Sequence, residues 1–487
     1  MTRSIDYHAI LPELILSGTI VLVLLVDAFV KRRSWVAMPL GLAGVLAALV
    51  ATLTLIGADR STFDGAFRVD GFAVLFKVLF LSVAVVVLAI SLRYFRDLRL
   101  YQGEYYFLLL TSFLGAVMMP SSRDLLVLFI ALELVSAPGF LMAALRKRSL
   151  RSNEAGLKFF LIGVLSAAVM LYGMSLVYGV TGTTNLQEIG VALGRDLAPA
   201  KETVALAAIL FVMVGFGFKV SAVPFQFWAP DTYEGSPVPV AAFLATASKA
   251  AGFAGLLQLM FVAFAAEYAF WAPIFAVLSI LTMTIGNFVA LQQTQAVRLL
   301  AYSSIAQAGY MLLPFALVTA DTGLNREAFA AATNYLLIYA VMTLGAFAVV
   351  TALARESRAL PISDFAGLAR RAPLMAVAMT VFMVSLAGIP PLGGFWAKFF
   401  VFRAAIDRGG IGVALAVIMV LNSVVSIWYY LAIPRAMIFQ EPERERPFVA
   451  PTLVTGVAFL AMVAVLAIGV YPELVAHFPP LSTLVGR

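Results

Sequence analysis

Apolar stretches long enough to cross a bilayer follow one another from end to end of this chain, and that single feature leaves it few ways to fold. They occupy residues 10–30, 36–57, 71–92, 105–120, 124–145, 155–179, 203–233, 238–266, 270–292, 298–320, 327–354, 373–405, 411–434 and 450–475. A spanning helix needs about 20 predominantly apolar residues, so the pattern predicts an all-α integral membrane protein with about 14 transmembrane helices. The fourth stretch is short, and the seventh and twelfth are long and interrupted. No soluble domain fits between them, because the longest connections, 180–202 and 355–372, have about twenty residues each. The first run, Leu14–Val30, has no strong basic segment before it and no small-residue cleavage site, so it reads as a spanning helix and not as a removable signal.

Charge sharpens the reading. Only 12% of the 487 residues are charged, where soluble domains carry roughly 25%. A formal net charge of +7 does not signal nucleic-acid binding here, because most positive residues sit in short loops between apolar runs. If the N-terminus is outside, the inner loops hold eighteen lysines and arginines and the outer segments ten. The positive-inside rule then places both termini on the outer side. Cysteine is absent, and histidine occurs only as His8 and His477, near the chain ends. Thiolate-held clusters, disulfides and a haem between two histidines are therefore excluded. No glycine-rich phosphate loop is present, so no cofactor is expected in this chain.

Five lysines remain inside the apolar runs: Lys77, Lys158, Lys219, Lys249 and Lys398, accompanied by Asp27 and Glu133. A charge near the bilayer centre costs roughly 2.5–3.5 kcal/mol even on lenient scales. Such a residue must pair, reach water or give up its proton, and lysine can do all three. Lys77 lies about 9 Å from its helix start and reads as a lysine snorkelling to the headgroups. Asp27 has Lys31 four residues on, so a local ion pair explains it as well as a role does. Lys158, one turn from the basic loop 146–151, divides evenly between snorkelling and function. Glu133 lies about 14 Å deep among apolar neighbours, and Lys249 about 16 Å deep on a face of Ala, Ser and Thr that packs helices closely.

Lys219 and Lys398 flank the interruptions "GFGFKVSAVPFQFWAPDTYEGSP" and "SLAGIPPLGGFWAKFF". Proline removes a backbone donor, and broken backbone at membrane depth is tolerated only where it faces protein or water. Paired interruptions are the mark of a transporter site. The breaks are thus expected to make polar pockets in which the lysines work. Taking spans 4–8 and 9–13 as two five-helix units makes the broken helix the fourth of each, and the odd number inverts the second unit. The expected organisation is an N-terminal three-helix segment (1–104), a first unit (105–266), an inverted second unit (270–434) and a C-terminal helix (435–487). The second unit offers only Tyr302, Asn334 and Asn422 where the first has Glu133, Lys158 and Lys249.

At "KVSAVPFQFWAPDTYEGSPVPVAAFLATASKA" (219–250) the chain resembles the antiporter-like membrane subunits of respiratory complex I, the proton-pumping NADH:quinone oxidoreductase. The likeness extends to "LPELILSG" (11–18), "ALELVSAPGFLMAALRK" (131–147), "EAGLKFFLIGVLSAAVMLYG" (154–173), "RLLAYSSIAQAGYML" (298–312) and "SLAGIPPLGGFWAKF" (385–399). The first and third of these, with a lysine in the twelfth span, look most like the subunit-N branch (subunit 2 in mitochondria). The resemblance implies roles in proton translocation for Glu133, Lys158, Lys219, Lys249 and Lys398, with Glu133 paired to Lys219. It also implies partner subunits that carry NADH, flavin, iron–sulfur clusters and quinone, and a location in the bacterial inner membrane. Relatives often carry histidine where this chain has Gln226 and Gln307, so an obligatory histidine shuttle is not expected at either place. A cation/proton antiporter subunit of the Mrp type shares the fold and is the alternative. A flippase would need a large central cavity, whereas these charges string across several helices.

Overall fold

The computed structural model describes residues 5–29, 36–97, 102–195, 197–354, 360–442, 451–476 and 484. Helices form in every apolar stretch. In chain order they are α1 (Leu11–Phe29), α2 (Ala37–Leu53), α3 (Gly71–Asp97), α4 (Gln102–Met118), α5 (Leu125–Ala143), α6 (Leu150–Thr181), α7 (Leu186–Leu193), α8 (Pro199–Val220), α9 (Trp228–Gly235) and α10 (Val238–Phe243). There follow α11 (Lys249–Gln258), α12 (Tyr268–Ala290), α13 (Ala296–Ala316), α14 (Thr322–Leu353), α15 (Leu368–Arg371), α16 (Pro373–Ala387), α17 (Gly393–Arg408), α18 (Ile411–Phe439), α19 (Thr452–Val470) and α20 (Glu473–Ala476). Among the described residues, 11 helices are long and apolar enough to cross a membrane. The other three stretches hold α2 and α4, of 17 residues each, and the pair α16–α17.

The two interrupted stretches divide at the prolines that mark them in the sequence, and other stretches carry detail the sequence pattern does not register. The 203–233 stretch is two helices, α8 and α9, separated at Pro224, and 373–405 is α16 and α17, separated at Pro390 and Pro391. The stretch expected as one helix over 238–266 contains π-helical turns at Leu244–Ser248 and Leu259–Ala263, which hydrophobic periodicity does not register. The connection 180–202 is not bare loop: Asn185 caps α7 by accepting from the Gln187 and Glu188 amides. A hairpin of β1 (Arg60–Thr62) and β2 (Phe67–Val69) pairs Arg60 with Val69 and Thr62 with Phe67. It lies beside the α4–α5 turn, where the Arg123 amide donates to Ala66 O at 2.8 Å.

Burial ranks the helices from the centre outward. In the most apolar window of Val238–Ala263 every residue is buried (100%), and in that of Ala296–Ala316 94% are. For α1, α6, α18 and α19 the figure is 33%. The outer faces of the last group carry exposed apolar rows, such as Leu157, Leu161 and Leu165 on α6 and Val413, Val417, Val420 and Val424 on α18, at the three-to-four-residue spacing of one helix side. That is the surface a bilayer or a neighbouring chain covers. Helices α12 and α13 pack backbone to backbone. A Cβ at Gly286 would meet the Ala306 amide nitrogen at 2.6 Å, and one at Gly309 that of Met283 at 2.4 Å, so only glycine lets these backbones touch.

A buried ion pair ties the first helices to the centre. Arg123, expected to lie in an outer segment, is buried: its guanidinium donates to Asp70 Oδ2 (3.0 Å), to Pro120 O (2.7 Å) and to Gln258 Oε1 at the end of α11. Gln258 in turn donates to Met119 O at 2.9 Å. Removing one partner of such a pair strands the other charge, at a cost of about 3–5 kcal/mol. Arg123→Ala is therefore expected to reduce the amount of folded, membrane-inserted protein sharply, and Arg123→Lys less so. Detergent-extracted protein followed by size-exclusion chromatography and thermal unfolding checks this.

Candidate functional site

Two helix ends at the proline breaks set up the site, and they close in the same way. At the first, the Ser221 amide bonds Phe218 O (3.0 Å) and the Ala222 amide bonds Gly217 O (2.8 Å). At the second, the Gly388 amide bonds Ser385 O (2.9 Å) and the Ile389 amide bonds Val384 O (3.2 Å). Each is a Schellman closure, in which a left-handed residue folds the chain back on its last turn. Gly388 adopts φ +89° at no steric cost; Ser221 adopts φ +61° despite its side chain. A Cβ at Gly388 would also meet Lys398 Cδ at 2.7 Å. Gly388→Ala is thus expected to displace that lysine and lower stability by about 1–3 kcal/mol, read by thermal unfolding of the purified protein.

A helix end leaves carbonyls without intrahelical donors, and here side chains supply some of them. Lys398 Nζ reaches back from α17 to Ala387 O at 2.8 Å and lies 4.7 Å from the Tyr310 ring centroid. The preceding carbonyl, Leu386 O, accepts from Gln307 Nε2 at 3.0 Å. At the first break, Trp228 Nε1 donates to Phe218 O at 3.2 Å, and Thr282 Oγ1 accepts from the Val223 amide at 3.0 Å. Lys219, at the end of α8, is buried and donates to Ser136 Oγ at 2.8 Å. Ser136 stands one turn beyond Glu133 on α5, on the same helix face. Glu133 itself is half-buried. The lysine is thus bonded to a hydroxyl next to the carboxylate, and among the described residues no direct Glu133–Lys219 salt bridge forms.

From Lys219 the polar groups continue into the second half. Lys249, buried on α11 directly after a π-helical turn, donates to both Ser304 O and Ser304 Oγ at 2.6 Å. Tyr339 OH donates to the same Ser304 Oγ at 2.9 Å. One turn along α13, Gln307 accepts from Tyr335 OH and donates to Tyr430 OH at 2.9 Å, while Ser303 Oγ and Tyr430 OH share a 2.6 Å bond. Beyond Lys398, Asn287 Nδ2 donates to Tyr310 OH (3.0 Å) and to Asn422 Oδ1 (3.2 Å). A line of buried polar groups therefore runs from α5 through α8, α11 and α13 to α17.

Two lysines lie off this line. Lys158 is in a half-exposed ion-pair network, with Asp231 at 2.6 Å and Glu154 at 2.7 Å. Arg298 joins it through Asp231 (2.7 Å) and Glu234 (2.9 Å). Lys77 does not snorkel. It is completely buried and bonds Glu13 Oε1 at 2.6 Å, with its ammonium 5.0 Å from the Phe67 ring centroid. The sequence reading missed Glu13 as a partner because it stands in the first turn of α1, at the apparent membrane edge; the hairpin carrying Phe67 packs over it. Asp27 lies against Gly103 at the start of α4, and its expected partner Lys31 is outside the described residues. So are His477 and several basic loop residues, Arg99, Arg355, Arg358, Arg444 and Arg446 among them.

Of the second-half residues singled out in the sequence, Asn422 bonds Asn287, Tyr302 stacks under Arg298 (5.9 Å), and Asn334 Oδ1 is buried without a partner. The residues that carry the line, Ser303, Ser304, Gln307, Tyr335, Tyr339 and Tyr430, were not proposed together. Their signal was present: "NYLLIY" puts two tyrosines four apart on one helix face, and "SSIAQAGY" repeats polar residues at three-residue spacing. Gln226, at the first break, has its buried Oε1 unpartnered. Among the described residues no three His, Asp or Glu side chains gather as a metal would require.

The family described as NADH:quinone oxidoreductase/Mrp antiporter, transmembrane, matches residues 122–426, which contain all of this polar line but Tyr430. The chain belongs to that family. Over 480 residues it is 41% identical to NADH-quinone oxidoreductase subunit N of Trichlorobacter lovleyi, covering 98% of this chain and 96% of that one. Subunit N of Moorella thermoacetica is 40% identical over 464 residues, 95% and 94% of the two chains. Among solved structures, a chain of respiratory complex I from Thermus thermophilus aligns with TM-score 0.80 and 34% identity, over 98% of this chain and 100% of that one. A chain of the Mrp complex from Dietzia shares the fold at TM-score 0.85 with 20% identity, over 98% and 97%.

Proposed function

We propose that this chain is a proton-translocating membrane subunit of an NADH:quinone oxidoreductase, in the bacterial inner membrane, with no redox centre of its own. The observation that carries the reading is the line of ionisable and hydroxyl groups from half-buried Glu133 and buried Lys219 through Lys249 to Lys398. Among the described residues each lysine on it makes hydrogen bonds to neutral oxygens and has no direct carboxylate partner, so each can gain or lose a proton without breaking a salt bridge. In this reading Glu133 biases Lys219 across the Ser136 hydroxyl, Lys249 connects the two halves, and Lys398 delivers the proton at the second break. Electron transfer elsewhere in the assembly needs only to shift Glu133 relative to Lys219, a coupling between distant sites through one two-state element. Lys158 acts at the margin of this path, through Asp231 and Arg298. NADH, flavin, iron–sulfur clusters and quinone belong to the partner subunits.

We read residues 105–266 and 270–434 as two inverted five-helix units within about fourteen crossings, flanked by 1–104 and 435–487; the matching closures of the two breaks support this. The lysine and arginine bias of the loops supports both termini on the outer side. The test is the whole complex in proteoliposomes. Glu133→Ala is expected to leave it assembled on a native gel with pumping cut severely, and Glu133→Asp, which keeps the charge at shorter reach, to pump better than the alanine variant. Full pumping by Glu133→Ala would remove the carboxylate from the mechanism. Sodium-dependent exchange by the isolated chain, without co-purifying quinone-reductase subunits, would favour an Mrp-type antiporter instead.

A further inference from the structure

Between Lys249 and Lys398 the polar line has a member that neither titrates nor bears a hydroxyl, and it is the one bonded most completely. Gln307 uses both amide donors, to Tyr430 OH at 2.9 Å and Leu386 O at 3.0 Å, and its Oε1 accepts from Tyr335 OH. Its partners stand on α18, α16 and α14, so one carboxamide on α13 joins four helices. Its orientation is fixed, because a flipped amide would set Oε1 against the Leu386 carbonyl oxygen, two acceptors face to face. A hydroxyl passes a proton on by accepting one and donating another. A carboxamide that takes a proton on Oε1 must release one from Nε2, which converts C=O to C–OH and C–NH2 to C=NH. That high-energy imidic acid must revert before a second proton can follow.

The neighbouring groups do not bypass it. Tyr429, whose ring packs on Tyr430 at 4.4 Å, donates to Asn287 Oδ1 at 2.9 Å, and Asn287 donates to Tyr310 at 3.0 Å. That branch also passes through a carboxamide. Hydroxyls serve the Lys249 side (Ser304, Tyr339) and Tyr310 lies beside Lys398, but among the described residues no chain of hydroxyl hydrogen bonds joins the two sides, and the groups between them are held by amides. We propose that Gln307 is a proton-blocking clasp: it holds α13, α14, α16 and α18 together across the polar line while preventing proton exchange between the Lys249 half and the Lys398 half. Protons cross when the clasp opens, and the closed clasp stops back-flow. This rests on the relay reading above and assigns Gln307 a positioning role within it.

The experiment uses the whole complex in liposomes, without NADH, under a potassium diffusion potential, with inward proton flux followed by an entrapped pH dye. Gln307→Glu matches the amide in shape but takes up and releases protons at its oxygens. Passive flux is expected to rise roughly tenfold or more, a modest figure for inserting a proton-exchanging side chain, and protons pumped per NADH to fall. If that variant does not assemble, Gln307→Ser replaces it: the vacated space, lined by Tyr335 OH, Tyr430 OH and Leu386 O, has the polar partners that hold a water. The same rise is expected. A membrane as tight as wild type, with full coupling, in whichever variant assembles overturns the clasp. The double variant Gln307→Glu/Lys398→Ala separates the two readings. Flux returning to the wild-type level supports both. Flux that stays high shows a leak bypassing Lys398, which overturns the clasp and counts against the relay.

Discussion

Replacing Lys249 by methionine is expected to abolish proton pumping by the assembled complex while leaving NADH oxidation by a soluble electron acceptor unchanged. Methionine is similar in length and apolar, so it fills the same space with little strain. It removes the ammonium that bonds Ser304 O and Oγ, while Tyr339 OH still serves the serine hydroxyl. Coupled quinone reduction should fall about tenfold or more, equivalent to a barrier raised by about 1.4 kcal/mol. Lys249→Arg is the decisive companion. It keeps a positive charge and several donors, but arginine does not deprotonate in proteins. If Lys249 carries the proton, the arginine variant fails as the methionine variant does; if it only supplies charge and packing, arginine restores much of the activity. Proton translocation in proteoliposomes, with assembly checked by native gel, distinguishes the two.

Much of the architecture was legible because lipid imposes a length and a periodicity. Apolar runs of the required length, and prolines at the two breaks, predicted the helices and the interruptions, and burial cost drew attention to Glu133, Lys219, Lys249 and Lys398. What escaped was whatever depends on contacts distant in sequence. Lys77 read as a snorkelling residue because its depth was computed along its own helix, whereas Glu13 reaches it from α1. Arg123 does lie in a connection, as read, but its burial went unseen because Asp70 and Gln258 are far from it in the chain. Of the neutral polar groups of α13, α14 and α18, Ser303, Ser304, Tyr335, Tyr339 and Tyr430 were passed over because serine and tyrosine carry no formal charge. Among the described residues Ser304 nevertheless accepts every hydrogen bond that Lys249 makes, so a search for charges alone finds the ends of the line and misses its middle.

The Glu13–Lys77 pair should show the opposite signature, a large effect on assembly that a second substitution relieves. Lys77 is fully buried and Glu13 is 8% exposed, and the carboxylate's second oxygen, Oε2, is buried with no hydrogen-bond partner. Lys77→Met leaves that carboxylate without its one charged partner, at a cost of about 3–5 kcal/mol. Such a loss consumes much of a membrane domain's marginal stability, so the single variant is expected to yield little assembled complex. Replacing a buried ion pair by apolar groups of similar volume is often neutral, because the desolvation cost of both charges disappears together with their attraction. Glu13→Leu/Lys77→Met is therefore expected to restore most of the assembly lost in the single variant, with pumping per assembled complex near wild type. The readouts are the amount of this chain in the complex on a native gel and the proton-to-NADH ratio. A double variant that assembles well but does not pump would move the pair from packing into the proton path. One that assembles no better than Lys77→Met would show that α1 and α3 need the ionic contact itself, and not merely the filled space between them.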